Sequence, residues 1–395
     1  MTRPTAPRVL GLVADDLTGA ADSAVAFADH GWRVILHLHP ERLQQQPAVT
    51  DDDDVQTVLA VTTGCRASPD EEAAAVTARA VELVRGAGAQ RLYLKIDSTV
   101  RGSVAGQISG AQHAWSDPGG PARAIICPAF PSQGRTVTNG RVQVHGVPLE
   151  QTAAATDPIT PRHTGDLRVI IPGAVSAHPT GQQPLVIVDA ADDHDLDALA
   201  GQLTATPHST ITVGSGGLAA AVARRWSPTT PVQTAASAVG TGRVLVAVSS
   251  LHPVTAGQVS RLRSSSDTGP VDVLISGTAT TTADEAAADL AARVDAALAE
   301  HPYSALVIVG GDGAAAILGR VGADHLLIDG AIHPGCPSGI VIGGRADGLR
   351  LVTKSGGFGD SDTLRTILTR LRRGSDPIPH HRPDHARPTT TKESS

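Results

Sequence analysis

The chain predicts an α/β fold made of two mainly parallel-sheet domains with helices on both faces. Three observations carry this. Short apolar, β-rich runs alternate with helical patterns along most of the chain, as expected where a parallel sheet is covered on both sides. The alternation breaks once, at WSPTTPVQTAASAVGTG (226–242), a stretch rich in Pro, Thr, Ser, Ala and Gly with no hydrophobic period, and then restarts. The length of 395 residues holds two or three domains at roughly 150 residues each. The expected division is an N-terminal domain over 1–227, a linker over 228–241, a second domain over 242–373 and a polar, proline-rich, disordered tail over 374–395.

The elements follow in order. RVLGLVA (8–14) reads as a buried strand and leads into a helix through about His30; VQTVLAVTT (55–63) is the next strand. Ser68-Pro69-Asp70-Glu71 has the form of a helix start, with Ser68 as cap, Pro69 at the first helical position and Glu71 closing a capping box. RLYLKI, ARAIIC, PLVIVDA and STITVG continue the strands. After the break come RVLVAVS, a helix from about Thr255, VDVLIS, a long helix over 283–301, ALVIVGG, HLLID, GIVIGG, LRLVTKS and a closing helix over 362–373. The acidic run Asp51–Asp54 reads as a solvated loop, since it lacks the spacing of a metal site.

Composition excludes several function classes. The formal charge of −7 argues against a nucleic-acid binder held by broad electrostatics. No apolar run reaches the ~18 residues of a membrane span, and MTRPTAPRVLGLVADD lacks a signal-peptide layout. Cys65, Cys127 and Cys336 are scattered and odd in number, which fits a reducing, cytoplasmic setting better than a disulfide framework.

Five stretches carry chemistry. In VADDLTGAADSA (13–24), Asp15 and Asp16 stand where a strand gives way to a helix. Neighbouring strand residues point to opposite sides, so one carboxylate is expected to cap the helix and the other to face the crevice; the alternative is that both cap. Arg66, in TTGCRAS, follows a strand, where a guanidinium can grip a carboxylate bidentately or simply lie on the surface. KIDSTVRGS (95–103) contains one of only three lysines, beside an aspartate, two hydroxyls and an arginine. Lys95, Asp97, Ser98, Thr99 and Arg101 could hold a polyol bearing an acid group, or form a structural ion pair. CPAFPSQGRTVTNGRVQVHGVPLEQT (127–152) gives a shaped loop with Arg135 and then a hairpin, a structural excursion or a substrate lid. Finally AVSSLHPVT (247–255), VGGDGAAA (309–316) and TKSGGFGDSD (353–362) each run from strand through turn to helix. Backbone N–H groups in such turns cradle phosphates, and Lys354 would supply a point charge. The chain has no GxxxxGK[ST], and no GxGxxG follows the first strand, so neither a P-loop nor a Rossmann dinucleotide site is indicated.

Taken together, ADDLTGA, KIDSTVRG, PAFPSQGRTV, NGR, GVPL, DPITP, GSGGLA, HPVT, GGDG and TKSGGFG, in that order over about 350 residues, resemble the four-carbon acid sugar kinase family. The resemblance implies an acid-sugar domain followed by a nucleotide domain, with ATP in the cleft between them. It also implies phosphoryl transfer to the terminal hydroxyl of erythronate, threonate or 3-oxo-tetronate. Carried over by position, the sugar site takes in Asp15, Asp16, Arg66, Lys95, Asp97, Ser98 and Thr99. The ATP site takes in Ser250, the turn Gly311, Asp312, Gly313 and Ala314, and Gly356 with Gly357. Two departures stand out. Ala314 occupies a place where the family usually has a hydroxyl, and Ser249-Ser250-Leu251-His252 replaces a common Gly-Ser-Cys-Ser, so His252 could replace a hydroxyl contact or stack near the adenine.

The mechanism expected from these residues has Arg66 and Arg101 holding the substrate carboxylate, Lys95 and the hydroxyls orienting the polyol, and Asp16 or Asp15 accepting the proton. Lys354 and the glycine turns would balance the triphosphate, with Mg²⁺ bridging its oxygens. Closure of the two domains is expected to exclude water. Small molecules are the expected partners, not nucleic acid or membrane, and a homo-oligomer is left open. Two rival classes remain at this stage, a sugar-acid lyase or isomerase and a non-catalytic sensing module.

Overall fold

The computed structural model describes residues 7–45, 55–116, 120–157, 159–228, 231–232, 239–277 and 282–373. The acidic run Asp51–Asp54, most of the expected linker and the expected tail lie outside these residues.

The N-terminal half contributes strands β1 (Val9–Ala14), β2 (Arg33–His37), β3 (Thr57–Thr62), β4 (Arg91–Lys95) and β5 (Ala124–Cys127). A small three-stranded antiparallel sheet follows, β6 (Arg135–Thr138), β7 (Arg141–Val144) and β8 (Val147–Pro148). Then come β9 (Val175–Ser176), β10 (Leu185–Ile187) and β11 (Ile211–Gly214). Its main helices are α1 (Leu17–Ala28), α2 (Asp70–Gly86), α3 (Val104–Ala114), α4 (Leu167–Ile170), α5 (Asp193–Leu203) and α6 (Gly216–Arg225). The C-terminal half supplies β12 (Val244–Val248), α7 (Pro253–Arg263), β13 (Val271–Ile275), α8 (Ala283–Glu300), β14 (Ala305–Val309) and α9 (Gly311–Arg320). It ends with β15 (His325–His333), β16 (Cys336–Ile342), β17 (Arg350–Lys354) and α10 (Thr363–Arg373). Most of the expected strands are present to within a residue or two; β10 stops at Ile187, short of Ala190, β15 runs on to His333, and β16 starts earlier, at Cys336.

The two sheets are not separate. One 14-stranded sheet runs β13-β12-β14-β17-β16-β15-β2-β3-β1-β4-β11-β5-β10-β9. Its N-terminal strands are all parallel, and β13, β12, β14 and β17 are parallel among themselves. The hairpin β15–β16 joins the two sets through antiparallel pairs, and β15 pairs with β2 from His325↔His37 to Ile328↔Val34. One apolar cluster includes Leu12, Leu94 and Leu36 from the first half and Leu326, Val341 and Leu351 from the second. A closure swinging freely about the linker, as expected from sequence, would have to break this shared core and hydrogen-bonded seam. Any closing motion is therefore restricted to loops or to twisting of the joined sheet.

Helix α1 lies in the angle between the halves. It packs on β1, β2 and β3 of one and on β15, β16, β17 and α9 of the other. Ala20, Ala21, Ala24 and Ala28 are buried, and small side chains let both surfaces approach closely. Helix α2 begins at Asp70 with Pro69 in the cap position and no side-chain capping bond. The capping role expected of Ser68 is not realised. Its N–H closes the short turn on Cys65 O, and its own carbonyl accepts from Ser103 Oγ.

Candidate active site

The site begins where β1 ends. Asp16 caps α1, its Oδ1 accepting from Gly19 N at 2.9 Å. The bulge-free register Ala14↔Thr62 and Ala14↔Lys95 sets the ends of β3 and β4 on either side. Arg66, just beyond β3, donates from Nε and Nη2 to both oxygens of Asp15 at 2.9 and 2.8 Å, and from Nη2 to Asp16 Oδ1 at 2.7 Å. Asp15 is buried, and burial holds its carboxyl above the usual range despite Arg66. Burial works against the Arg66 guanidinium, but Asp15 and Asp16 raise its pKa overall. The division of labour differs from the expected one. Asp16 both caps the helix and faces the two cavities, while Asp15, which borders the larger one, is locked to Arg66. The guanidinium expected to hold a substrate carboxylate already holds two carboxylates of the protein.

A second ion pair shapes the next turn. Arg101 donates from Nε and Nη2 to the two oxygens of Asp97 at 3.0 and 2.9 Å, and Thr99 donates to Asp97 from both N and Oγ1. Burial alone would raise the Asp97 carboxyl, but Arg101, Arg66 and Thr99 together hold it far below the usual range. The buried Val100 is turned to a φ of 52°, a strained choice for a β-branched residue. The turn is thus held in a fixed shape. Lys95, buried at the end of β4 between Ala14 and Gly214 in register, makes no hydrogen bond or ion pair among the described residues.

The C-terminal turns are built differently. A β-carbon at Gly356 would collide with Ser250 Oγ, and Thr255 Oγ1 donates to Gly356 O at 2.7 Å. Gly313 and Ala314 pack inward, Gly313 against Ser249, so the missing hydroxyl at 314 falls at a buried position. His252 is the cap of α7, its Nδ1 accepting from Val254 N, and its Nε2 lies beside Gly357. Lys354 differs from the expected phosphate charge. Its ammonium is buried and donates to Ser355 O at 2.7 Å and Gly356 O at 3.2 Å, bracing its own turn, and burial pushes its pKa down to about 8.

The two halves meet at the start of α9, where a β-carbon on Gly311 would sit 2.6 Å from Thr18 Oγ1 of α1. Two adjoining cavities open there. One, of about 890 Å³, lies between α2 and α9. The other, of about 520 Å³, is lined by Asp16, Lys95, Asp97, Ser98 and Arg101 from the first half and by Gly311, Asp312, Ser355 and Phe358 from the second. Both share Asp16, Arg66, Arg101, Gly311 and Asp312. Three helix starts, α1 at Thr18, α6 at Ser215 and α9 at Gly311, line the smaller one, and such ends favour anions.

Two further residues lining this cavity were missing from the expected site. Asp22 stands four residues after Thr18 and three after Gly19, a spacing that puts all three on one face of α1; that spacing was the available signal. Arg135 was noted only as part of a shaped loop. Its Nη1 donates to Gln133 O, while its Nε is buried without a partner among the described residues.

Comparison with known proteins agrees with this construction. Residues 10–222 match the model of a sugar-binding N-terminal domain and residues 275–364 that of a nucleotide-binding C-terminal domain. A D-threonate kinase of Bordetella bronchiseptica is 35% identical over 92% of this chain and 97% of its own. A 3-oxo-tetronate kinase of Burkholderia multivorans is 27% identical over 94% and 99%. A D-erythronate kinase of Heliobacterium modesticaldum is 35% identical over 48% of this chain and 42% of its own. Among solved structures, one from Bordetella bronchiseptica, a domain-swapped dimer with bound citrate, shares 35% identity over 92% of this chain and 98% of that one, with a TM-score of 0.50. One from Salmonella typhimurium LT2 has a TM-score of 0.74 at 20% identity over 93% and 99%, and shows the shared fold. With an acid-lined wall and a glycine-turn wall closing on one cavity, and with both domain models and full-length relatives matched, the chain belongs to the four-carbon acid sugar kinases, a family of ATP-dependent carbohydrate kinases.

Proposed function

We propose that this protein transfers the γ-phosphoryl group of ATP to the terminal, C4, hydroxyl of a four-carbon sugar acid such as threonate, erythronate or 3-oxo-tetronate. One observation carries the reading. A single cavity of about 520 Å³ joins a charged, hydroxyl-bearing wall to glycine turns and three helix starts, a match to a small hydroxylated anion facing a triphosphate. Phosphoryl transfer needs positioning and charge stabilisation more than covalent chemistry, and both walls are preorganised. The relatives' names and the citrate in the Bordetella structure, a small hydroxylated carboxylate, support the substrate class.

Among the charges expected to hold the substrate carboxylate, Arg66 and Arg101 are engaged with protein carboxylates. Lys95, with no hydrogen bond or ion pair among the described residues, and Arg135, whose Nε has no partner among them, are cations of the same cavity that are not paired with a protein carboxylate. Ser98 faces the cavity and orients hydroxyls, whereas Thr99 and Asp97 hold the turn. Ser250, Gly311, Asp312 and Gly356 carry the nucleotide. For Mg²⁺ the donor chemistry fits. Asp312 lines both cavities and has no ion pair among the described residues, and a hard carboxylate with phosphate oxygens suits the ion. When bound, Mg²⁺ would neutralise charge on the transferring phosphates.

The test is incubation with ATP, Mg²⁺ and a panel of four-carbon sugar acids. The expected product gains the mass of one phosphoryl group, and its phosphorus couples to the C4 protons. Phosphate on another oxygen, or ADP and free phosphate alone, would refute this reading.

A further inference from the structure

Within this proposed reaction, we infer that Asp22, and neither Asp15 nor Asp16, accepts the proton of the attacking hydroxyl. The inference rests on the kinase reading above and names the base within that site.

The three carboxylates near the end of β1 differ in what they can still accept. Both Asp15 oxygens are taken by Arg66. Asp16 Oδ1 takes Gly19 N and Arg66 Nη2 together, and Oδ2 has no hydrogen bond among the described residues. Each is hydrogen-bonded to the Arg66 guanidinium, so taking up a proton would weaken an ion pair that holds the turn. Asp22 has no hydrogen bond or ion pair among the described residues, yet it is half-buried and lines the cavity.

The space in front of it is kept open by glycines. A β-carbon at Gly216, the first residue of α6, would lie 2.7 Å from Asp22 Oδ2. One at Gly19 would lie 2.8 Å from Lys95 Nζ. Asp22 and Lys95 feel each other's charge without touching. A hydroxyl between them would meet an acceptor on one side and an ammonium on the other. The turns of the nucleotide wall, Gly311, Asp312 and Ser355, line the same cavity. Burial raises the Asp22 carboxyl above the usual range, Lys95 opposes this, and Asp16 adds to it. From β16 the buried Cys336 thiol also senses the Asp22 charge. Such a base is better matched to neutral pH than a carboxylate at its ordinary value.

The step balances. As the C4 oxygen forms its bond to the γ-phosphorus, its proton passes to Asp22. The bond from the γ-phosphorus to the bridging oxygen breaks, and ADP leaves with the electron pair.

The experiment uses the full chain with ATP, Mg²⁺ and whichever sugar acid the wild type phosphorylates. Asp22→Asn, nearly isosteric, is expected to lower kcat by about 10²–10⁴-fold and remove the acidic limb of the kcat–pH profile. KM for the sugar acid and ATP should stay within a few fold. Asp22→Ala should regain activity with added formate, which a structural role would not give, and melting curves check that both variants fold. Wild-type kcat in Asp22→Asn, a surviving acidic limb, or recovery by raised Mg²⁺ alone (a metal ligand instead) each overturns the inference while leaving the kinase reading intact. A wild type that phosphorylates no four-carbon acid overturns both.

Discussion

The two walls of the cavity handle charge in opposite ways. The N-terminal wall concentrates formal charges and then pairs them, Arg66 with Asp15 and Asp16, Arg101 with Asp97. The C-terminal wall presents Gly311, Ser355, Phe358 and the unpaired Asp312, and the glycine turns behind it are held by close packing and backbone contacts, Ser250 against Gly356, Thr255 to Gly356 O, Ser249 against Gly313, and Lys354 to Ser355 O. A paired side chain is a positioning device, whereas an unpaired one is available to a ligand. The contrast therefore separates scaffold from chemistry. Among the described residues of the charged wall, Lys95 and Asp22 have no hydrogen bond or ion pair and Arg135 Nε has none, while the other wall offers the Asp312 carboxylate and the start of a helix.

The sharpest way to break this contrast is to remove a scaffold cation. Arg66→Ala leaves buried Asp15 without its partner, and the expected loss is about 3–5 kcal/mol of stability, read as a lower denaturant midpoint. If Arg66 served mainly to hold substrate, stability would hardly move and KM would rise instead.

Next comes the seam that holds the walls together. His37 and His325 face each other across β2 and β15 with ring centroids 5.4 Å apart. Burial, then His325, pushes His37 from 6.5 down to about 4, and burial also lowers His325, with Asp347 opposing. The unfolded chain therefore takes up protons first. The stabilisation is fully present above the unfolded value near 6.5 and is lost as pH falls toward about 4, by up to roughly 3 kcal/mol for His37. Stability measured from pH 7.5 to 4.5 should show this slope, and His37→Gln should flatten it; an unchanged slope assigns the acid sensitivity elsewhere.

A ligand-facing cation behaves differently from a scaffold one. For Arg135→Gln we expect KM for the sugar acid to rise about 10–100-fold, as for a lost charged hydrogen bond of roughly 1.5–3 kcal/mol, with KM for ATP and the melting temperature almost unchanged. Equal effects on both substrates would place Arg135 outside the carboxylate site. The smallest effect is expected in the glycine turn behind the other wall. Gly356→Ala should raise KM for ATP roughly tenfold, about 1.4 kcal/mol of crowding, and Gly356→Ala with Ser250→Ala should recover part of it. No recovery would show that Gly356 matters through its backbone alone.

The sequence by itself determined most of the strand and helix order, β2 excepted, because buried parallel strands read as short apolar runs and their ends carry caps and glycine turns. It also located several of the residues that meet at the cavity, Asp16, Lys95, Asp97, Arg101, Gly311 and Asp312 among them, since in α/β folds these follow strand ends. It could not say which charges are engaged with one another. Arg66 and Asp15 are 51 positions apart, and only the placing of β3 beside β1 brings them together. Nor could it reveal that the halves share one sheet, because the β2–β15 pairing depends on long-range register that leaves no local pattern. Asp22 sits between these cases. Its helix face was legible, but its freedom from partners belongs to the tertiary structure, where Gly216 of another helix leaves room beside its carboxylate.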